Sequence, residues 1–156
     1  MPSRQRQILD RLIALLQGIN GSGSYTYDLS GSDQIVRGRI VEPTRIPLIC
    51  IYGARESSTD GPSMGRLQRE LTVGVLGFVA TTSDDGSGRV NAALDLVGDI
   101  RTAIEANRTL YDSGAGNALA TNTYTELLTI ADGSEFSSGV AMLEGSIVVT
   151  YNERPS

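Results

Sequence analysis

Apolar residues recur at helical spacing near the start of the chain. Ile8, Leu9, Leu12, Ile13, Leu15 and Leu16 fall on one side of a helix spanning Arg4 to Gln17, while Arg4, Arg6, Asp10 and Arg11 largely take the other. Ser3 is placed to cap this helix and Gly18 to stop it. A flexible stretch, Asn20 to Ser24, follows, and the pattern then turns strand-like at Tyr25 to Asp28, Gln34 to Val41 and Ile46 to Tyr52. Gly53 to Gly65 offers little to bury and much to turn, so it reads as a long polar loop, extending to about residue 66. Leu67 to Ala80 reads as a long strand. Leu71, Val73, Val75 and Val79 alternate in it with a second set that becomes apolar toward its end, where Leu76 and Phe78 stand. A strand apolar on both sides needs two coverings, a helix layer on one and either a second internal layer or a neighbouring subunit on the other.

Ser83 to Gly88 is a turn and capping segment before a second helix, Arg89 to Ala106. Val90, Ala93, Leu94, Val97, Ile100 and Ile104 make its expected buried stripe, with Asp95, Asp99 and Arg101 directed to water. Asn107 to Asn122 is a link containing a Gly-rich run. Two more strands follow at about Thr123 to Asp132 and Gly139 to Asn152, and in the last one Ala141, Leu143, Ile147, Val149 and Tyr151 share a face. The order helix, three or four strands, long helix, two strands predicts a single α+β domain over residues 1–156. Its sheet is mainly antiparallel, of about five to six strands, with the two main helices packed on one face.

Composition narrows the chemistry. The chain of 156 residues has no His, and all thirteen of its basic residues are Arg, so there is no Lys. Ser-His-Asp and Cys-His systems, imidazole metal sites, lysine Schiff bases and Lys-dependent phosphate loops are therefore excluded from this chain alone. Cys50 lies in the apolar run Ile46 to Tyr52 and reads as a small buried hydrophobe; one Cys forms no internal disulfide. The first residues lead into an amphipathic helix rather than a signal sequence, and no apolar run approaches a membrane span. The expectation is a soluble protein folded in a reducing cytoplasm, without membrane contact.

Charge adds an asymmetry to this picture. The net charge is −5, which argues against a protein that grips duplex DNA through many phosphates. Residues 1 to 69 hold nine Arg and six acids, whereas residues 70 to 156 hold four Arg and twelve acids. A basic front and an acidic rear suit head-to-tail contacts between copies, in which Arg37, Arg39, Arg45, Arg55, Arg66 and Arg69 would meet Asp84, Asp95, Asp99 and Glu105 of the next subunit.

The short motifs that resemble chemistry read better as structure. Gly61-Pro62-Ser63-Met64-Gly65 has the letters of a nucleophile elbow, yet it sits in the polar loop and no histidine exists to activate Ser63. Asp112-Ser113-Gly114-Ala115 resembles an aspartic-protease signature without a second copy or a flap. Gly21-Ser22-Gly23 and Gly114-Ala115-Gly116 complete no dinucleotide fingerprint, and Asp84 to Gly88 lacks calcium-loop spacing. Asp132, Glu135 and Glu144 are ordinary strand-end acids. No catalytic residue, cofactor or metal ligand is assigned.

Four segments taken in order carry a resemblance: Arg6 to Leu16, Glu70 to Phe78, Ala92 to Ile104, and Gly139 to Tyr151. Together they resemble the small tail-completion, or tail-terminator, proteins of long-tailed bacteriophages, over most of the chain. The resemblance implies a non-enzymatic virion protein of the head-tail junction, assembled in the host cytoplasm. It would form a ring, typically a homohexamer, that ends growth of the tail tube. Its partners would be itself, the tail tube protein and a head-completion or connector protein, with DNA passing through the ring without specific binding. The family has no fixed catalytic motif to carry over. The alternatives are a head-completion, connector or tail-tube subunit and, in a different class, an aspartyl hydrolase using Asp112 or a small-molecule-binding α+β domain.

Overall fold

The computed structural model describes residues 3–38, 46–58, 67–81, 86–112, 116–130 and 139–153. Helix α1 spans Arg4–Gln17 as the periodicity predicts, burying Ile8, Leu12 and Leu16 along one stripe. The Ser3 hydroxyl accepts from the Arg6 amide at 3.3 Å, satisfying one of the donors that a helix start leaves open. At the other end the Gly18 amide donates to Ala14 and Leu15, and Ile19 turns straight into the core.

Residues 25–28, expected as a strand, make only one bridge, between Asn20 and Asp28. The reason is a side chain. The amides of Thr26 and Tyr27, which would have bonded a neighbouring strand, donate instead to the carboxylate of Asp99 on the second helix at 2.8–3.1 Å. Tyr27 is fixed to that helix a second time, its hydroxyl donating to the Ala92 carbonyl at 3.0 Å.

Strand β1 is Ile35–Arg37, shorter than the expected 34–41, of which residues 39–41 lie outside the described residues. Strand β2 runs Leu48–Ser58 and β3 runs Leu67–Ala80. The expected loop therefore starts too early. Gly53 to Ser58 are strand residues paired with Arg69 to Gly74, because β3 is long enough to supply backbone partners to a polar stretch. The rest of that loop, 59–66, lies outside the described residues.

Helix α2 is Gly86–Glu105, β4 is Tyr111–Asp112, β5 is Asn117–Ala118, β6 is Asn122–Ile130 and β7 is Val140–Glu153. The main sheet has the order β1-β2-β3-β7-β6, with β4 and β5 forming a separate small hairpin inside the expected link. Every neighbouring pair in the main sheet is antiparallel except β1 with β2, which is parallel. The fold is thus α+β, with a five-stranded mixed sheet and, among the described residues, two helices.

Both helices share one core with a single face of the sheet. Ile8, Leu12 and Leu16 of α1 and Ala93, Leu96, Val97, Ile100, Ala103 and Ile104 of α2 cluster with Leu71, Val73, Val75 and Val79 of β3 and with Ala141, Leu143, Ile147, Val149 and Tyr151 of β7. The β7 face is the one its alternation predicts. The α2 stripe is rotated from expectation: Leu94 is 50% exposed, and Leu96 is fully buried in its place. Gly77 explains the rotation, since a Cβ there would stand 2.8 Å from Leu96 Cδ2, and the bare glycine lets that leucine close onto the sheet.

The other sheet face holds a smaller cluster of Leu48, Cys50, Leu76, Phe78, Val140 and Met142, flanked by Val36, Ile46 and Tyr52. Cys50 is buried there, as expected for a core thiol. A β-bulge at Tyr52 inserts one extra residue into β2, after which Gly53, Arg55 and Ser57 stand on the same face as Leu48 and Cys50.

Candidate functional site

Beyond the small apolar cluster, the face away from the helices is polar. By register it carries Arg55 and Ser57 of β2, Glu70 and Thr72 of β3, Glu144 and Ser146 of β7, and Tyr124 and Glu126 of β6. The Tyr52 ring crosses Gly74, where a Cβ would approach it to 2.8 Å, and its hydroxyl donates to Glu144 Oε1 at 3.4 Å. Burial and the neighbouring Glu144 carboxylate raise the Tyr52 pKa. Tyr124, 40% exposed, is raised in the same direction by burial and by Glu70 and Glu126. Tyr52, Glu126, Leu127, Glu144, Gly145 and Ser146 line an open hollow of about 480 Å³ on this face. Gly145 is obligatory at its floor: a Cβ would stand 2.1 Å from the Glu126 carbonyl oxygen.

Of the six described charged residues expected to bridge subunits, four are engaged within the chain. Arg37 pairs with Asp10 of α1. Arg69 Nη1 lies 2.6 Å from Glu56 Oε1, and Gln5 of α1 donates to the same carboxylate. The Gln5 bond foremost, helped by the Arg69 guanidinium and a bond from Tyr151, holds the Glu56 pKa below its ordinary value against the opposing effect of burial. Glu105, the last residue of α2, pairs at 3.4 Å with Arg108 in the turn that follows. Asp99, expected at the surface, is only 2% exposed, and its two oxygens accept from the amides of Thr26 and Tyr27. Arg55 and Asp95 are exposed, on different elements. Arg39, Arg45, Arg66 and Asp84 lie outside the described residues.

Of the motif residues, Asp112 sits in β4 opposite Asn117, while Ser63 and residues 113–115 lie outside the described residues. Among the described residues, no group of three or more His, Cys, Asp or Glu is placed to hold a metal ion, and no helix is long and apolar enough to cross a membrane.

One site went unnoticed in the sequence. Arg101, Ile104, Glu105 and Arg108 face Thr123, Tyr124 and Thr125 across a cleft of about 120 Å³ between α2 and the edge strand β6. Thr123 is 1% exposed, and its hydroxyl oxygen has no hydrogen-bond partner among the described residues. The spacing of 101 and 105 on a helix was a faint signal for a shared face; nothing in the sequence marked Arg108 or Thr123.

Among the described residues, the fold is an α+β domain whose two helices cover one face of a five-stranded mixed sheet. No protein-family model matches the chain, and no curated protein is similar enough to count as a relative.

Proposed function

We propose that this chain is a structural subunit of a long-tailed bacteriophage, a tail-terminator-like protein that closes into a ring on the end of the tail tube. The ring stops tube polymerisation and presents the surface to which a head-completion or connector protein joins. It works by shape and self-association rather than by turnover, and DNA passes through it without specific binding. One observation carries this reading beyond the sequence resemblance. Both described helices pack on a single face of the sheet, so the helical side of the subunit differs from the other face, with its smaller apolar cluster and polar remainder, and from the sheet edges at β1 and β6. Unlike surfaces on one subunit are what a rotational, head-to-tail ring requires.

The test is the mass of the purified protein in solution, followed by negative-stain imaging. Closed rings, or monomers that cap isolated tails when added to them, are the expected result. Particles assembled without this chain that still carry normal-length, head-attached tails would overturn the proposal. With most of the described interface charges already paired internally, the ring is expected to weaken only modestly as salt is raised, read by mass across a salt series.

A further inference from the structure

We propose that the cleft between the C-terminal half of α2 and the edge strand β6 is a binding site for an oxyanion, a carboxylate or phosphate group, held by Arg101, Arg108 and the Thr123 hydroxyl. Its volume of about 120 Å³ suits one such group and little more. Arg101 lies in the last turns of α2 and Arg108 in the turn that follows the helix, and both line the cleft. Arg101 has no ion-pair partner among the described residues, and the Arg108–Glu105 contact at 3.4 Å is long for a charged pair.

The second, independent sign is Thr123. A buried hydroxyl without a partner costs free energy, and a ligand oxygen in the cleft would accept its proton. Charge distribution points the same way. Residues 70 to 156 contain only four arginines among twelve acids, and two of those four line this one cleft. Glu105 stands at the rim as a repelling carboxylate, which tunes the site toward weak, reversible occupancy. Because β6 ends the sheet, the cleft opens outward, where either free phosphate or an acidic side chain of a second copy can enter. The second source rests on the assembly reading; the site itself does not.

The experiment follows the γ-methyl resonances of Thr123 and Thr125 in the full chain, labelled at threonine methyls, which remain readable in a monomer or a ring. Inorganic phosphate is titrated at constant ionic strength against chloride, and separately the protein is diluted with no phosphate present. Saturable shifts at both methyls are expected, with Arg101→Gln raising the half-saturation roughly tenfold and Thr123→Val, read at Thr125, roughly fivefold. Glu105→Gln is expected to lower it, an effect that a purely structural role for these residues would not produce. If a second copy supplies the carboxylate, the same shifts track protein concentration and phosphate lowers the assembled mass. If the ligand is the free ion, phosphate moves the methyls at unchanged mass. Absence of saturable shifts in both arms, or an Arg101→Gln/Arg108→Gln double variant that titrates like the parent, overturns the proposal. Phosphate binding that persists in a protein that neither forms rings nor caps isolated tails would overturn the assembly reading alone.

Discussion

Asp99 is where a residue-level reading of the sequence and the structure part most sharply. On a helical projection it is an ordinary polar position; in the fold it is buried, because the amides of Thr26 and Tyr27 have no strand to bond and its carboxylate takes them both. No local pattern announces a contact 72 or 73 residues away in sequence. Replacing Asp99 by Ala would leave those amides without their acceptor, and the expected loss is about 2–3 kcal/mol, read as a lower urea midpoint. A midpoint equal to that of the parent would show that segment 25–28 does not depend on α2. The neighbouring Tyr27 supplies a pH test. Burial first, then the charges of Asp95 and Asp99, push its pKa up to about 12. The folded state thus favours the neutral phenol, so this stabilisation is complete below the unfolded value near 10. It is expected to fade as pH rises from there through 12. Urea midpoints measured across that window should fall less steeply in Tyr27→Phe than in the parent.

Elements with their own period were the legible ones. The capped and amphipathic α1 and the alternating face of β7 were readable in full, and the two-sided apolar end of β3 correctly announced buried side chains on both sheet faces. The polar half of β2 was not readable: Gly53 to Ser58 are held by backbone bonds from β3, a contribution that composition does not encode. The parallel pairing of β1 with β2 was hidden for a similar reason, since three residues are too few to show a period. The rotation of α2 depended on a missing atom at Gly77.

Two of the sheet glycines can be ranked by what surrounds them. In Gly145→Ala the new methyl meets the Glu126 carbonyl oxygen at 2.1 Å and Leu127 Cα at 2.7 Å, backbone that can yield only by breaking the β6–β7 pairing. The expected cost is about 3 kcal/mol or more. Gly77→Ala meets side-chain atoms of Leu96 and Leu143, which can rotate, and is expected to cost about 1–2 kcal/mol. Thermal unfolding that reversed this order would show that β6 is loosely attached.

For the molecule as a whole, the sequence conveyed class and composition but not surface. The absence of His and Lys was plain from the residues, and so was the division into a basic and an acidic half. Folding engages part of that division within the chain: Arg37 and Arg69 pair with acids in their own half, and Asp99 turns inward. The cleft at Arg101, Arg108 and Thr123 was invisible for the opposite reason, since it joins a helix to an edge strand through side chains that are individually unremarkable.

The bulge at Tyr52 sets the phase of everything downstream in β2. Side chains of a strand alternate, so straightening that bulge, with Tyr52 taking the place opposite Gly74, would act on 53–58 as a frameshift acts on a message. Arg55 would be driven under the helices, and Glu56 would swing away from Gln5 and Arg69 to the opposite side. One aromatic residue therefore decides which half of a polar hexapeptide stays inside the molecule's own bonding and which half is offered to the outside.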